Sequence, residues 1–168
     1  TERLIGTVDE ARAYTAVHEG AIYLHRGQSY EVVELDLHDK RARVVECDNT
    51  TYTQPRTDKD IRVLRVADQR RVGRTTLHIG EVEVTTQVLG YQLRDRFSRK
   101  ILANEPLDLP EQRLVTHAFW YVVDDDVIDK VVDTGCDPRG TLHAAEHAAI
   151  AMLPLFTICD RWDVGGVS

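Results

Sequence analysis

The sequence predicts an α+β fold that is mostly antiparallel β. A small SH3-like barrel and a second β-sheet unit are followed by one long buried C-terminal helix. Three observations predict it. Short runs of β-branched and aromatic residues, separated by Gly, Asp and Asn turns, fill residues 17–66. Period-two alternation at Val82, Val84, Thr86 and Val88, and then the run RLVTHAFWYVV, mark further strands. Finally, GTLHAAEHAAIAMLPLFTICDRWDVGG, from Gly140 to Gly166, is rich in alanine and carries no charge from Ala148 to Cys159. Alanine favours helix, and a helix that is apolar nearly all round belongs in an interior.

Taken in order, Thr1–Thr15 offers one or two helical turns in TVDEARAY. Gly27-Gln28 reads as the turn between the strands IYLHR and SYEVVELD, and His38-Asp39-Lys40 as the turn into ARVVEC. Asp48-Asn49 precedes TTYTQ, and Pro55 ends that strand or confines it to a sheet edge, because proline has no N–H to donate. IRVLRV closes the first unit, residues 1–66, as a barrel; an open meander is the alternative. Ala67–Arg74 is polar and reads as a connection. The second unit, residues 67–168, begins with TTLHIGEVEVTTQVLGYQLRD, whose hairpin tip is RDRFSR. Pro106 and Pro110 bracket LDL, and Asp124–Asp126 stops the RLVTHAFWYVV strand. The main helix spans 141–158 as the core element, with Leu153 and Phe156 as core positions and a kink imposed by Pro154.

The chain has 168 residues, a formal net charge of −7 and an ordinary globular composition. An acidic balance argues against indiscriminate nucleic-acid binding and confines any such surface to a local patch. Cys47, Cys136 and Cys159 are too few and too scattered for a disulfide framework; they fit a reducing compartment and a cytoplasmic location. No apolar run approaches the ~18 residues of a membrane span, so no membrane partner is expected. The missing initiator Met and the end at Val167-Ser168 suggest a piece of a longer protein.

Three groups of residues could carry chemistry. His143-Ala-Ala-Glu146-His147 spells H-x-x-E-H, which on a helix puts two imidazoles on one face for zinc, with Glu146 as base. A hydrolase of that type needs a third ligand, and after His147 only Asp160 and Asp163 offer carboxylates. The plainer reading is that both histidines fix the helix by hydrogen bonds. Cys159 has no partner at ligand spacing and reads as a small apolar residue. The third group is basic. Arg94, Arg96, Arg99 and Lys100 surround Phe97, with Tyr91 near, and Arg70, Arg71 and Arg74 form a second cluster. Guanidiniums with an aromatic on a loop suit a phosphate backbone and an unstacked base. A solvated charged hairpin is the alternative. No G-x-x-x-x-G-K-[ST] phosphate loop appears, so this chain alone holds no ATP-hydrolysing site and is not read as an enzyme.

LHAAEHAAIAMLPLFTICDRWDVGG also resembles the opening of the DUF1998 region, the MrfA-type zinc-binding domain that follows the motor of MrfA/SftH-type superfamily II DNA helicases. The matching residues are His143, Glu146 and His147, the run Leu153–Phe156, Cys159–Asp163, Gly165 and Gly166. Ala16–Asp36 is similar to the β segment after the motor in SftH-like proteins. The resemblance implies an accessory, DNA-guiding region of an ATP-dependent 3′-to-5′ helicase. Its implied partners are single-stranded DNA, bound weakly, and the parent's motor domains. The implied parent uses ATP and magnesium and holds zinc through four cysteines further downstream, with no cofactor in this stretch. A zinc-dependent hydrolase and a protein-interaction module without nucleic acid are the rival readings.

Overall fold

The computed structural model describes residues 3–160 and 164–167. Helix α1 (Glu10–Ala16) precedes β1 (Ile22–His25), β2 (Gln28–Asp36) and β3 (Arg41–Cys47). The long strands β4 (Thr51–Val72) and β5 (Thr75–Asp95) follow, then β6 (Ile101–Pro106) and β7 (Gln112–Val123). Helices α2 (Asp125–Asp133) and α3 (Pro138–Met152) and a 3-10 turn, Leu153–Leu155, complete the order. The expected class, α+β with mostly antiparallel β, is the class observed. Arg161, Trp162 and Asp163, which carry part of the family resemblance, lie outside the described residues.

Strands β1, β2 and β3 form one sheet in that order; β4, β5 and β6 form another, with β7 also paired to β5. Residues 22–47 therefore make a three-stranded meander, and the strand expected to close the first unit, IRVLRV, lies within β4 in the other sheet. A two-residue turn hands β4 directly to β5, and among the described residues β3 pairs with β2 alone. Turn chemistry fixes the meander. His25 pairs with Gln28 across Arg26 and Gly27, whose φ values of 50° and 85° suit the tight, left-handed hairpin turns that twisted strands favour. At the next turn the Asp36 carboxylate accepts the amides of His38 and Asp39, both at 2.9 Å. β4 runs through Pro55 as a sheet edge, the placement proline tolerates. It also continues through Ala67–Val72, expected as a connection: the turn falls at Gly73, whose φ is 58°.

The chain divides into two compact units, Thr1–Arg65 with Glu81–His117, and Val66–Gly80 with Ala118–Ser168. In the first, Val17, Ala21 and Val32 form the core, with Val8, Tyr23, Leu35 and Val44 packed on it. Val82 and Val88 of β5 are also buried, as their alternation requires. Gly90 is forced: a Cβ there would collide with the Glu105 carbonyl oxygen on β6.

In the second unit Asp124–Asp126 does more than stop β7. Asp124 is the N-cap of α2, and Asp125 and Asp126 sit in its first turn, where negative charge suits the helix dipole. α3 starts three residues before the expected Thr141. Asp137 caps it by accepting the Gly140 amide at 2.8 Å, and Pro138 opens it. Its last turn tightens at Pro154 instead of kinking. The expectation of a buried C-terminal helix is corrected here. No residue of α3 is buried, and Phe156 is 78% exposed. The described residues lay only short elements against α3, and these cannot enclose an apolar cylinder.

Candidate nucleic-acid interface

The β5–β6 hairpin carries the first basic cluster, and its tip is built by one carboxylate. Asp95 Oδ1 accepts the Phe97 amide at 3.1 Å, the Ser98 amide at 2.6 Å and the Ser98 hydroxyl at 2.8 Å. These bonds, those from Ser98 first, hold the Asp95 carboxyl below the usual carboxylate range. The Asp95 amide donates to the Lys100 carbonyl at 3.0 Å, and the Arg99 amide to the Asp95 carbonyl at 2.9 Å. The Arg96 amide donates to the Thr50 carbonyl at 2.8 Å, which ties the tip to the start of β4. Arg99 adopts φ 58°, a left-handed conformation that a non-glycine residue rarely takes.

Phe97, Arg99 and Lys100 are thereby exposed, Phe97 by 81%, while Arg94 and Arg96 are half-buried. Arg96, Arg99 and Lys100 make no ion pair among the described residues. Arg94 is engaged: its Nε and Nη2 donate to Gln92 Oε1 at 3.1 and 2.5 Å. Three cations and a solvent-facing ring thus share one tight turn.

The second cluster is different. Arg71 donates to the Gly73 carbonyl at 3.0 Å and the Thr76 hydroxyl at 3.1 Å, and pairs with Asp124. Arg74 pairs with Asp126 at 2.8 Å and lies 3.9 Å from Asp124. Two of its three cations are therefore neutralised by the acidic run that opens α2. Arg70 is exposed and makes no ion pair among the described residues.

His143 and His147 share a face of α3, one turn apart. Their Nε2 atoms are 3.1 Å apart, with the rings edge-on. Glu146 lies beneath them, 3.5 Å from His143 Nδ1, and Gly166 packs so closely on Glu146 that a Cβ would overlap its carboxylate. Among the described residues no three His, Cys, Asp or Glu side chains come together as a metal set, and Cys159, four residues past the 3-10 turn, is half-buried. None of the described helices is long and apolar enough to cross a membrane.

Sequence reasoning placed Tyr91 beside the basic tract, but its ring points elsewhere. It lies 4.7 Å from the ring of His18, which is fully buried, and against Gly20, whose φ is 78°. Burial lowers the His18 pKa. Tyr91 and Leu93 of β5, with Ile22, form the floor of a cleft of about 220 Å³ in the first unit. Glu31, Asp48 and Thr50 edge it. The cleft joins residues from β1, β2, β5 and the β3–β4 turn, so spacing along the chain gave no sign of it.

No family model matches the chain. It is 31% identical over 99% of its length to the uncharacterized ATP-dependent helicase YprA of Bacillus subtilis, of which it covers 22%. It is 24% identical over 92% of its length to the ATP-dependent helicase HRQ1 of Saccharomyces cerevisiae, of which it covers 14%. The crystal structure of the DUF1998 helicase MrfA bound to DNA matches with a TM-score of 0.66 and 29% identity. That match covers 94% of this chain and 21% of that one. The chain spans about a fifth or less of the relatives it matches. The resemblance to DUF1998 helicases is borne out both in sequence and in fold.

Proposed function

We infer that this chain is a segment of a DUF1998 helicase of the MrfA kind, and that it serves that protein as an accessory region guiding single-stranded DNA. Its relatives are ATP-dependent helicases, and the matched fold belongs to a DNA-bound one. One local observation supports the guiding role: the Asp95-built tip exposes Phe97 beside Arg96, Arg99 and Lys100, none of which makes a salt bridge among the described residues, although the Asp95 charge is felt at Lys100. Cations that are free of carboxylate partners can take phosphates at little electrostatic cost, and an exposed ring gives a base a surface to stack on. The paired Arg71 and Arg74 have already spent that capacity within the protein.

In this reading the chemistry of strand separation belongs to the rest of the longer protein: an ATP-driven motor, with magnesium, moving 3′ to 5′ and docked on this region. Zinc held by four cysteines is likewise assigned to the longer protein. The test is binding of the full chain to a labelled oligothymidine as salt is varied. Three contacts give a slope of log K on log salt of about −2, at roughly −0.7 per contact on single strands. An absence of binding even at low salt would leave the hairpin a solvated surface and favour the protein-interaction reading.

A further inference from the structure

We propose that the cleft beside the hairpin is a nucleobase pocket that accepts an amino-bearing base, cytosine in preference to thymine, from the strand held at the tip. The inference rests on the DNA-guiding reading and deepens it. Its first support is reach. Leu93 in the cleft floor is followed at once by Arg94, and Thr50 on the rim accepts the Arg96 amide at 2.8 Å, so rim and tip are one continuous structure.

Size is the second support. A cleft of about 220 Å³ is smaller than the roughly 300–1,000 Å³ of pockets that take drug-sized ligands, and suits a single heterocycle. Its floor has what a ring needs: the Tyr91 side chain and the aliphatic Ile22 and Leu93.

The third support is the sign of the charge. The rim carboxylates Glu31 and Asp48 make the cleft electronegative. The Cys47 thiol within it is pushed up by burial and then by Glu31 and Asp48. Tyr91 is likewise raised by burial, with Glu105, Glu31 and Glu19 adding to it. Such a cleft repels phosphate, while the tip three residues away attracts it. A nucleotide has the matching polarity, with its phosphate for Arg96 and Arg99 and a donor amino group for the carboxylates. Cytosine N4 offers that amino group, and Glu and Asp are its natural acceptors; thymine presents a carbonyl there and has no exocyclic amine.

The experiment compares the full chain binding oligodeoxycytidine and oligothymidine of about twelve nucleotides, within the site sizes of single-strand binders. The readout is the ratio of the two affinities, which a general change in charge leaves alone. The expected ratio is about fivefold in favour of cytidine, the size of one good hydrogen bond. Glu31→Gln and Asp48→Asn should bring it towards one, and Glu34→Gln, on the same strand but paired with Arg43, should not. A second measurement needs no variant: oligodeoxycytidine should slow alkylation of Cys47 more than oligothymidine does, with Cys136 as the exposed reference. Equal affinities with equal Cys47 protection would overturn the pocket and leave the guiding role standing. Failure of both oligonucleotides to bind would overturn both. Protection of Cys47 by a guanidinium compound, with a ratio of one, would assign the cleft to a cationic side chain and overturn the base.

Discussion

The Asp95 carboxylate holds Ser98 twice through a single oxygen, accepting its amide at 2.6 Å and its hydroxyl at 2.8 Å. The shape of the hairpin tip depends on that carboxylate being charged. Its pKa in the folded chain lies below the unfolded value, so the ionised form stabilises the tip. The contribution is complete above the unfolded value, near 4, and is lost as the pH falls through the lower folded value. The Ser98 amide resonance should therefore report the titration of Asp95 at acid pH. Asp95→Asn should abolish that dependence, and an unchanged Ser98 titration in the variant would show that the turn is held by something else.

Charge reversal separates the two arginine clusters. Arg96→Glu with Arg99→Glu should weaken single-strand binding and flatten its salt slope by about 1.4, two contacts at roughly −0.7 each. Arg71→Glu with Arg74→Glu should act mainly on stability, because those side chains meet Asp124 and Asp126. Both arginines are more than half exposed, so loss of the pairs alone costs at most about 1 kcal/mol. Equal effects of the two double variants on the salt slope would contradict this division.

Phe97→Ala isolates stacking from charge. A base resting on the ring contributes roughly 1–3 kcal/mol, so affinity should fall by about fivefold or more while the salt slope stays put. The ring is 81% exposed, so the melting temperature should barely move. Titrations of the variant at several salt concentrations decide between stacking and a spectator ring.

Core and tail should respond differently to an introduced charge. Val32 is 1% exposed at the centre of the first unit, and Val32→Asp should cost several kcal/mol, comparable with the whole stability of a small domain. Phe156 is 78% exposed, and Phe156→Asp should change stability by about 0.5 kcal/mol or less. Urea unfolding of the full chain measures both. A large loss for Phe156→Asp would restore the core role that its apolar sequence suggested.

The strands were legible because their signals are local. Alternation at Val82, Val84 and Val88, and the turn residues at Gly27-Gln28 and His38-Asp39-Lys40, encode pleat and turn within a few residues of one another. The misreadings are cases where a local signal had two meanings. Three aspartates end a strand, and they equally begin a helix, so the run by itself does not reveal α2. Ala67–Val72 is polar because it lies on an exposed edge strand, not because it is a loop. An apolar run such as Ala148–Ile158 states what the residues would prefer to touch; burial depends on what is there to cover them. The basic clusters were visible as composition. Which arginines remain available was not, because Arg71 is neutralised by Asp124, 53 positions further along the chain.

Arg99, in its left-handed conformation at the tip, sets two demands on one position against each other. The backbone there would be most relaxed with glycine, which adopts positive φ without penalty. A polyanion passing over the tip is served best by a guanidinium. Replacing the arginine with glycine relaxes the turn and removes a contact in the same step, so tighter folding and tighter grip cannot both be obtained at residue 99.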